Sequence, residues 1–256
     1  MRVVNADFEI MSDVDGLEIL KHLEKVGRTC YKSEDKISNT SCFDFVRGLI
    51  ARGHEAVIEH YNITVKFIID RGISHEVVRH RVASYAQEST RYCNYSKDKF
   101  NNQITYVDIK NGLNIDGSCS KLTEEQQGKI YDEWLQACLD AEEHYNKMIE
   151  LGASPQIARS VLNNSTKTEL CMTANLREWR HFFKLRTDKP AHPQMREIAI
   201  KLLKAFVEYI PVIFDDIYGE VDTDTIYKLG EYDYDDFETK YEQITIDDWL
   251  KEKNNE

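Results

Sequence analysis

The chain lacks a long apolar run, paired cysteines and an excess of positive charge, and each absence argues against a class of protein. No stretch of about 18 apolar residues occurs among the 256, so no membrane-spanning helix is expected. The first residues lack the apolar core of a signal peptide, which predicts a cytoplasmic protein. The six cysteines form no Cys-x-x-Cys pair, which argues against a disulfide framework and a cysteine-rich zinc site.

Acidic residues exceed basic ones by 45 to 33, which gives a net charge of -12. Broad nucleic-acid binding needs a basic face, so neither nucleic acid nor membrane is an expected partner. The same balance still permits a local basic pocket for one small anion. The last 38 residues, 219–256, hold 13 acids against 4 lysines and are predicted to form an acidic, partly disordered tail after a domain over 1–218.

Hydrophobic periodicity predicts an α+β fold: a small mixed or antiparallel sheet with long helices packed on it, in a single elaborated domain. Strands are predicted at 2–10, 62–69 and 166–175, and a further one at 104–109 inside an irregular excursion over 93–122. Helices are predicted at 13–26 with Asp13 as the cap, and at 39–53, 74–80, 123–151, 176–187 and 193–210, and a further short helix is predicted to start at Ser154 and Pro155.

One segment concentrates positive charge in this acidic chain. It reads Arg79-His80-Arg81 and, after seven further residues, Ser89-Thr90-Arg91-Tyr92. Guanidinium groups form paired hydrogen bonds with phosphates and carboxylates. The cluster therefore predicts a site for an anionic ligand such as a nucleotide. The alternative is a solvated helix end whose arginines face water.

Two weaker constellations flank this motif. The upstream one, Gly53 to His60, contains two histidines and two glutamates, but their spacing is not the His-Glu-x-x-His of zinc enzymes, and no metal is predicted. The downstream one, Asn175 to Arg186, follows a predicted strand and enters a predicted helix, whose N-terminal amides would suit an anion. Its apolar residues are expected to face inward: Trp179, Phe182, Phe183 and Leu185.

Together these segments resemble the flavin-dependent thymidylate synthase family. The Arg-His-Arg-x7-Ser pattern is similar to the family signature, and Gly-His-Glu-x3-Glu-His and Asn-x-Arg-x3-His-x4-Arg are similar to the stretches before and after it. The resemblance covers about residues 1–218. It implies reductive methylation of dUMP to dTMP, with methylenetetrahydrofolate as carbon donor and FAD reduced by NADPH. It also implies a homotetramer whose active sites combine residues of more than one chain.

The resemblance assigns a role to each matching residue. Arg186 would be catalytic, stabilising the ionised N3–O4 face of uracil, and His54 and Glu59 would belong to the folate and flavin region. Contacts to dUMP are expected from Glu76, Arg79, Gln87, Glu88, Ser89, Thr90, Arg91, Arg159 and Arg186. Contacts to FAD are expected from Ala56, Arg79, His80, Arg81, Gln87, Asn175, Arg177 and His181.

Three positions depart from the family pattern: Ala56 replaces a commoner hydroxyl residue, Glu76 replaces a frequent glutamine, and Asn163 replaces a frequent proline. The residues also bear on the chemistry, because C5 of uracil is a poor nucleophile and no cysteine has the Pro-Cys-His context of thiol-dependent synthases. A guanidinium can stabilise the N3 anion without donating a competing proton. Two rivals are a nucleotide-binding module without turnover and a hydrolase using Ser89 and His80, although the latter lacks a Gly-x-Ser-x-Gly elbow.

Overall fold

A computed structural model describes residues 1–97 and 100–230. The α+β class is confirmed, with a small antiparallel sheet among many helices. Backbone contacts group the chain into two compact units that alternate along the sequence. The first comprises 1–12, 63–174 and 189–198, and the second comprises 13–62, 175–188 and residues from 199 onward.

The first unit contains the sheets. Strands β1 (Arg2–Val4) and β5 (Thr105–Val107) pair in parallel. The larger sheet has the order β2-β3-β6-β4, formed by β2 (Asp7–Ile10), β3 (Asn62–Asp70), β4 (Ala83–Gln87) and β6 (Lys167–Asn175). The pairs β2–β3 and β4–β6 are antiparallel. The predicted strands at 62–69 and 166–175 are confirmed, and the structure places them next to each other in the centre of this sheet.

Two strand predictions are wrong. The single strand expected at 2–10 is divided at Asn5, because its first half pairs with β5 and its second half with β3. The segment expected to be a motif loop contains β4, an edge strand with Ser84, Ala86 and Gln87 exposed. A short strand with few apolar residues shows no clear alternation of burial, so the sequence pattern does not reveal it.

Two helices of the first unit begin at side-chain caps. Helix α3 (Arg71–Val77) starts three residues before the predicted 74–80, because Asp70 accepts a hydrogen bond from the Ile73 amide over 2.6 Å. The predicted irregular excursion contains a short helix, α4 (Lys110–Ile115), that was not predicted. Helix α5 (Glu124–Glu150) confirms the long-helix prediction, with the capping box of Thr123 and Gln126 formed in both directions. Helix α6 (Pro155–Ala158) begins with proline as predicted.

Helices dominate the second unit. Helix α1 (Gly16–Thr29) is capped by Asp15, and the predicted cap at Asp13 is wrong. The unit continues with α2 (Ser41–Ala51), α7 (Leu176–Arg186), α9 (Asp215–Tyr218) and α10 (Thr223–Lys228), and α8 (Pro193–Tyr209) enters it from the first unit.

An aromatic cluster forms the core of the second unit. Its rings lie 5.2 to 5.9 Å apart between centroids and belong to Trp179, Phe182, Phe183, Phe206 and Phe214. The inward orientation predicted for the aromatic residues of α7 is therefore confirmed. For Leu185 it is wrong, since this side chain is 49% exposed. Positions 179, 182 and 183 share one helical stripe, and 185 falls outside it.

Of the predicted acidic tail, residues 219–230 are described and include α10, whereas 231–256 lie outside the described residues. None of the helices within 1–97 and 100–230 has the length and hydropathy needed to cross a membrane.

Candidate functional site

Strand β4 separates the two halves of the Arg-His-Arg motif in the first unit. The cations at 79–81 precede the strand, and the segment 88–91 follows it. From the first to the last residue of β4, four steps of about 3.4 Å give a length of about 14 Å, and the two halves of the motif lie beyond opposite ends of that length. The motif therefore places positive charge at both ends of one edge strand, a spacing that suits an extended anionic ligand.

Three arginines of the motif have no anionic partner in the described part of the chain. The Arg79 and Arg81 side chains are exposed, and neither makes a hydrogen bond or ion pair with the described residues. The Arg91 guanidinium lies 5.3 Å from the centre of the Tyr92 ring, and it makes no ion pair with a carboxylate within residues 1–97 and 100–230. Arg159, which follows α6, donates to the Thr90 hydroxyl over 3.1 Å. This edge thus carries cations that are available to a ligand.

His80 differs from the arginines that flank it. It is buried, with 4% of its surface exposed. Its backbone carbonyl accepts a hydrogen bond of 2.5 Å from the Tyr85 hydroxyl, which also contacts the Val77 carbonyl at 3.0 Å. Strand β4 therefore fixes the backbone between the two exposed arginines.

The side-chain amide of Gln87 is positioned by hydrogen bonds to the hydroxyls of two buried residues, Ser74 and Thr168. Its Nε2 donates to Ser74 over 2.9 Å and contacts Thr168 at 3.3 Å. Both hydroxyl residues are completely buried. The amide oxygen of Gln87 is thereby left as the group that can accept from a ligand. Glu76, on the same helix as Ser74, is half-buried.

The next residue, Glu88, has both carboxylate oxygens engaged. One accepts from the Tyr95 hydroxyl over 2.9 Å, and the other lies 3.0 Å from the Lys167 ammonium. Burial, together with the charge of Glu88, raises the pKa of Tyr95, so the phenol remains a donor. Among the predicted nucleotide contacts, Glu88 is thus occupied by protein partners.

The second unit holds the other predicted site residues. His54, Ala56 and Glu59 are exposed on or beside a 3₁₀ segment, Glu55–His60. Arg177, on the first turn of α7, donates to Glu59 over 2.6 Å. The flavin-region glutamate and a predicted flavin-binding arginine are therefore brought together.

Helix α7 positions the remaining candidates. The Asn175 side chain caps the helix by accepting from the Glu178 amide over 2.9 Å. His181 is exposed in the middle of the helix, and Arg186 is half-buried in its last turn. The cap uses the amide oxygen of Asn175, so its amide nitrogen is the atom left for a ligand.

Arg180, within the downstream motif segment, is a buried residue whose partners the sequence analysis did not identify. Arg180 is 2% exposed and donates through two nitrogens to Asp216, each over 2.7 Å. It also bonds to Glu55 and to the Ile213 carbonyl. The motif segment contains Arg180, but no local pattern points to a partner 36 residues away.

Comparisons with known proteins agree with the motif. A family model described as thymidylate synthase complementing protein matches residues 17–212. A flavin-dependent thymidylate synthase from Geobacter sulfurreducens is 33% identical over 196 residues, covering 74% of this chain and 78% of that protein. Another, from Corynebacterium aurimucosum, is 31% identical over 219 residues, covering 83% and 84%.

A solved structure supports the fold. The UMP/dUMP methylase PolB from Streptomyces cacaoi, bound with 5-Br dUMP, matches with a TM-score of 0.70 and 22% identity, covering 86% of this chain and 98% of that one. The family model spans all three motif segments, which lie between residues 53 and 186. The chain therefore belongs to the flavin-dependent thymidylate synthase family of enzymes.

Proposed function

We propose that this enzyme methylates dUMP reductively to dTMP, taking the carbon from methylenetetrahydrofolate and the electrons from NADPH by way of FAD. The observation that carries the proposal is the set of guanidinium groups without described anionic partners, Arg79, Arg81 and Arg91, in a chain of net charge -12. Isolated exposed arginines are common, but three within one family signature suit a nucleotide phosphate. The similarity to flavin-dependent thymidylate synthases supports the same reaction.

The donor set fits FAD. Its diphosphate is an anion, and each unit has exposed guanidinium groups that can bind such a group, Arg79 and Arg81 in the first unit and Arg177 in the second. His80, Gln87, Asn175 and His181 complete the proposed set. Ala56 offers no hydroxyl, so its contribution is limited to the backbone. When bound, FAD supplies the reducing electrons, and the protein's part is to hold and polarise the reactants.

The proposed nucleotide contacts divide by chemistry. Ser89, Arg91 and Arg159 would bind the phosphate or sugar of dUMP, with the backbone around Thr90 beside them. Arg79, which precedes β4, would reach dUMP from the opposite end of the strand. Arg186 would stabilise negative charge on N3 and O4 of uracil, which increases electron density at C5. A guanidinium group donates hydrogen bonds without giving up a proton, so it can stabilise the anion without protonating it.

A thiol nucleophile is not needed in this scheme. Burial raises the pKa of both Cys42 and Cys138, which disfavours the thiolate form at neutral pH. Neither residue lies in a predicted site segment. In place of a thiol that adds to uracil, the proposal uses Arg186, which would activate uracil by stabilising negative charge on N3 and O4.

The proposal includes a homotetramer with shared active sites and a role for His54 and Glu59 in the folate and flavin region. Light scattering would test the assembly, with an expected mass four times the 29.9 kDa of one chain.

The direct experiment is optical and chemical. Protein loaded with FAD should be yellow, should lose its colour with NADPH, and should form dTMP when dUMP and methylenetetrahydrofolate are added. A protein that binds dUMP but forms no dTMP under these conditions would be a nucleotide-binding module. Conversion of dUMP without FAD would instead favour a hydrolase or another flavin-independent enzyme.

A further inference from the structure

Two carboxylates face each other immediately after β4. Gln87 pairs with Leu170 in the β4–β6 register, so Glu88 lies opposite Glu169, and its amide donates to the Glu169 carbonyl over 2.9 Å. Like charges in directly opposite positions destabilise a strand pair. The chain leaves β4 at this point and enters the segment that carries Ser89 and Arg91.

Lys167 compensates this repulsion. Its ammonium lies 3.0 Å from a Glu88 oxygen and 3.0 Å from a Glu169 oxygen. The Lys167 and Glu88 side chains are only 17% and 13% exposed, so water screens the pair less than it does a surface pair. Burial by itself lowers the pKa of Lys167, but the hydrogen bond to Glu169 and the charge of Glu88 outweigh it and raise the pKa. The ammonium therefore stays charged at neutral pH.

The second carboxylate oxygen of Glu88 binds Tyr95, at the C-terminal end of the segment 88–95. It accepts from the hydroxyl of Tyr95, a residue that is 5% exposed and whose amide donates to the Tyr145 hydroxyl over 3.3 Å. Between these points, the amides of Tyr92 and Cys93 donate to the Ser89 carbonyl over 3.1 and 3.0 Å. One carboxylate thus holds both ends of a turn that presents Ser89 and Arg91.

We propose that Glu88 and Lys167 form an anchor that positions Ser89 and Arg91 to bind the 5′-phosphate of the nucleotide. In this role the Glu88 side chain acts through the turn rather than by contacting dUMP. The inference rests on the proposed function, since it needs a phosphate-bearing substrate at this turn. It adds that the phosphate and the uracil of dUMP are recognised by different parts of the protein, the phosphate by the turn that carries Ser89 and Arg91 and the uracil by Arg186.

The repulsion between Glu88 and Glu169 makes the anchor testable by a cycle of substitutions. Lys167→Met leaves the two carboxylates unopposed and should displace the turn. Adding Glu88→Gln removes one of those charges while keeping an acceptor for Tyr95. The single variant should therefore be worse than the double variant, an order that loss of the lysine alone does not explain.

The experiment measures the affinity of FAD-loaded protein for dUMP and for deoxyuridine, which has no phosphate. Lys167→Met should weaken dUMP binding about tenfold or more, and the double variant should recover most of that loss. Deoxyuridine affinity should change little in either variant. The exposed pair of Lys129 and Glu125 provides matched controls, Lys129→Met and Glu125→Gln, with no expected effect on either ligand.

Equal weakening of dUMP and deoxyuridine, or no recovery in the double variant, would overturn the anchor. If Lys167→Met does not fold, Glu88→Ala tests the same anchor and should weaken dUMP alone. A wild-type protein that forms dTMP but responds to none of these changes refutes only the anchor. A wild-type protein that binds dUMP no better than deoxyuridine refutes both the anchor and the proposed phosphate site.

Discussion

The Arg177 guanidinium donates to the Glu59 carboxylate over 2.6 Å, joining the two motif segments of the second unit that the family resemblance assigns to the flavin. The two side chains are 51% and 42% exposed. Exposed pairs of this kind contribute at most about 1 kcal/mol to stability. We therefore expect this pair to orient the arginine for a ligand rather than to stabilise the fold.

Replacement of Arg177 tests that expectation. Arg177→Met should weaken FAD binding about tenfold, because a charge-assisted hydrogen bond is lost, and should change the free energy of unfolding by less than about 1 kcal/mol. Flavin fluorescence titration and urea unfolding measure the two quantities. Arg47→Met, which breaks the exposed pair with Asp44 in the same unit, is the control. Unchanged FAD affinity in Arg177→Met would remove this residue from the flavin site.

Arg186 is the residue on which the proposed activation of uracil depends. Arg186→Lys should retain part of the dUMP affinity and lower turnover about 100-fold, because an ammonium cannot reproduce the planar pair of donors toward N3 and O4. Lys184→Arg, a conservative change on the same helical turn, should leave turnover unchanged. Steady-state rates and equilibrium binding separate the two effects. A wild-type rate in Arg186→Lys would contradict the activation role.

The buried Arg180 makes the second unit sensitive to acid. Burial alone raises the pKa of Asp216, but its hydrogen bonds and ion pair with Arg180 outweigh this and lower the pKa below its usual 3.8. The stabilising contribution is therefore present at neutral pH and is lost as the pH falls through that lowered pKa.

Asp216→Asn should accordingly lower the free energy of unfolding by about 1–3 kcal/mol at pH 7. Asp216 is half-exposed, which favours the lower part of that range. Urea unfolding measured at pH 7 and pH 3.5 should show the gap between wild type and variant shrinking at the lower pH. Asp44→Asn, a fully surface change, should give almost no gap at either pH. A gap that widens in acid would show that the assigned sign is wrong.

Two glycine-to-alanine changes should have opposite signs. A Cβ on Gly16, at the start of α1, would collide with the Tyr209 carbonyl oxygen, so the backbone would have to shift at a cost of about 1–3 kcal/mol. A Cβ on Gly128, within α5, would meet no atom within 4 Å beyond its chain neighbours and the nearby backbone of its own helix, and alanine there should stabilise by about 1 kcal/mol. Thermal unfolding of the two variants measures both effects. Destabilisation by Gly128→Ala would refute the exposed position assigned to it.

Features with local signals were predictable from the sequence. Thr123 and Gln126 specify the start of α5 because their capping bonds span three residues. The alternation of apolar and polar residues that predicts β3 is also local, and it appears in the structure as alternating buried and half-buried side chains. The fixed spacing of the Arg-His-Arg motif likewise indicated a cationic site, and the structure leaves Arg79 and Arg81 available there.

Features that depend on distant partners were not predictable. Glu88 resembled a ligand contact, yet the lysine that pairs with it is 79 residues later in the chain. The edge strand β4 takes its pairing from β6, which its own partly exposed residues do not indicate. The break at Asn5 has the same origin, since each half of that stretch pairs with a different strand. Side-chain pattern specifies which residues can pair, whereas the tertiary fold decides which of them do.

The most direct test of the proposed chemistry is the release of tritium from dUMP labelled at C5. Reductive methylation replaces the C5 hydrogen, so FAD-loaded protein given NADPH and methylenetetrahydrofolate should release the label to water in step with dTMP formation. Omission of FAD should abolish the release. Retention of tritium by a protein that has bound FAD and dUMP would contradict the account.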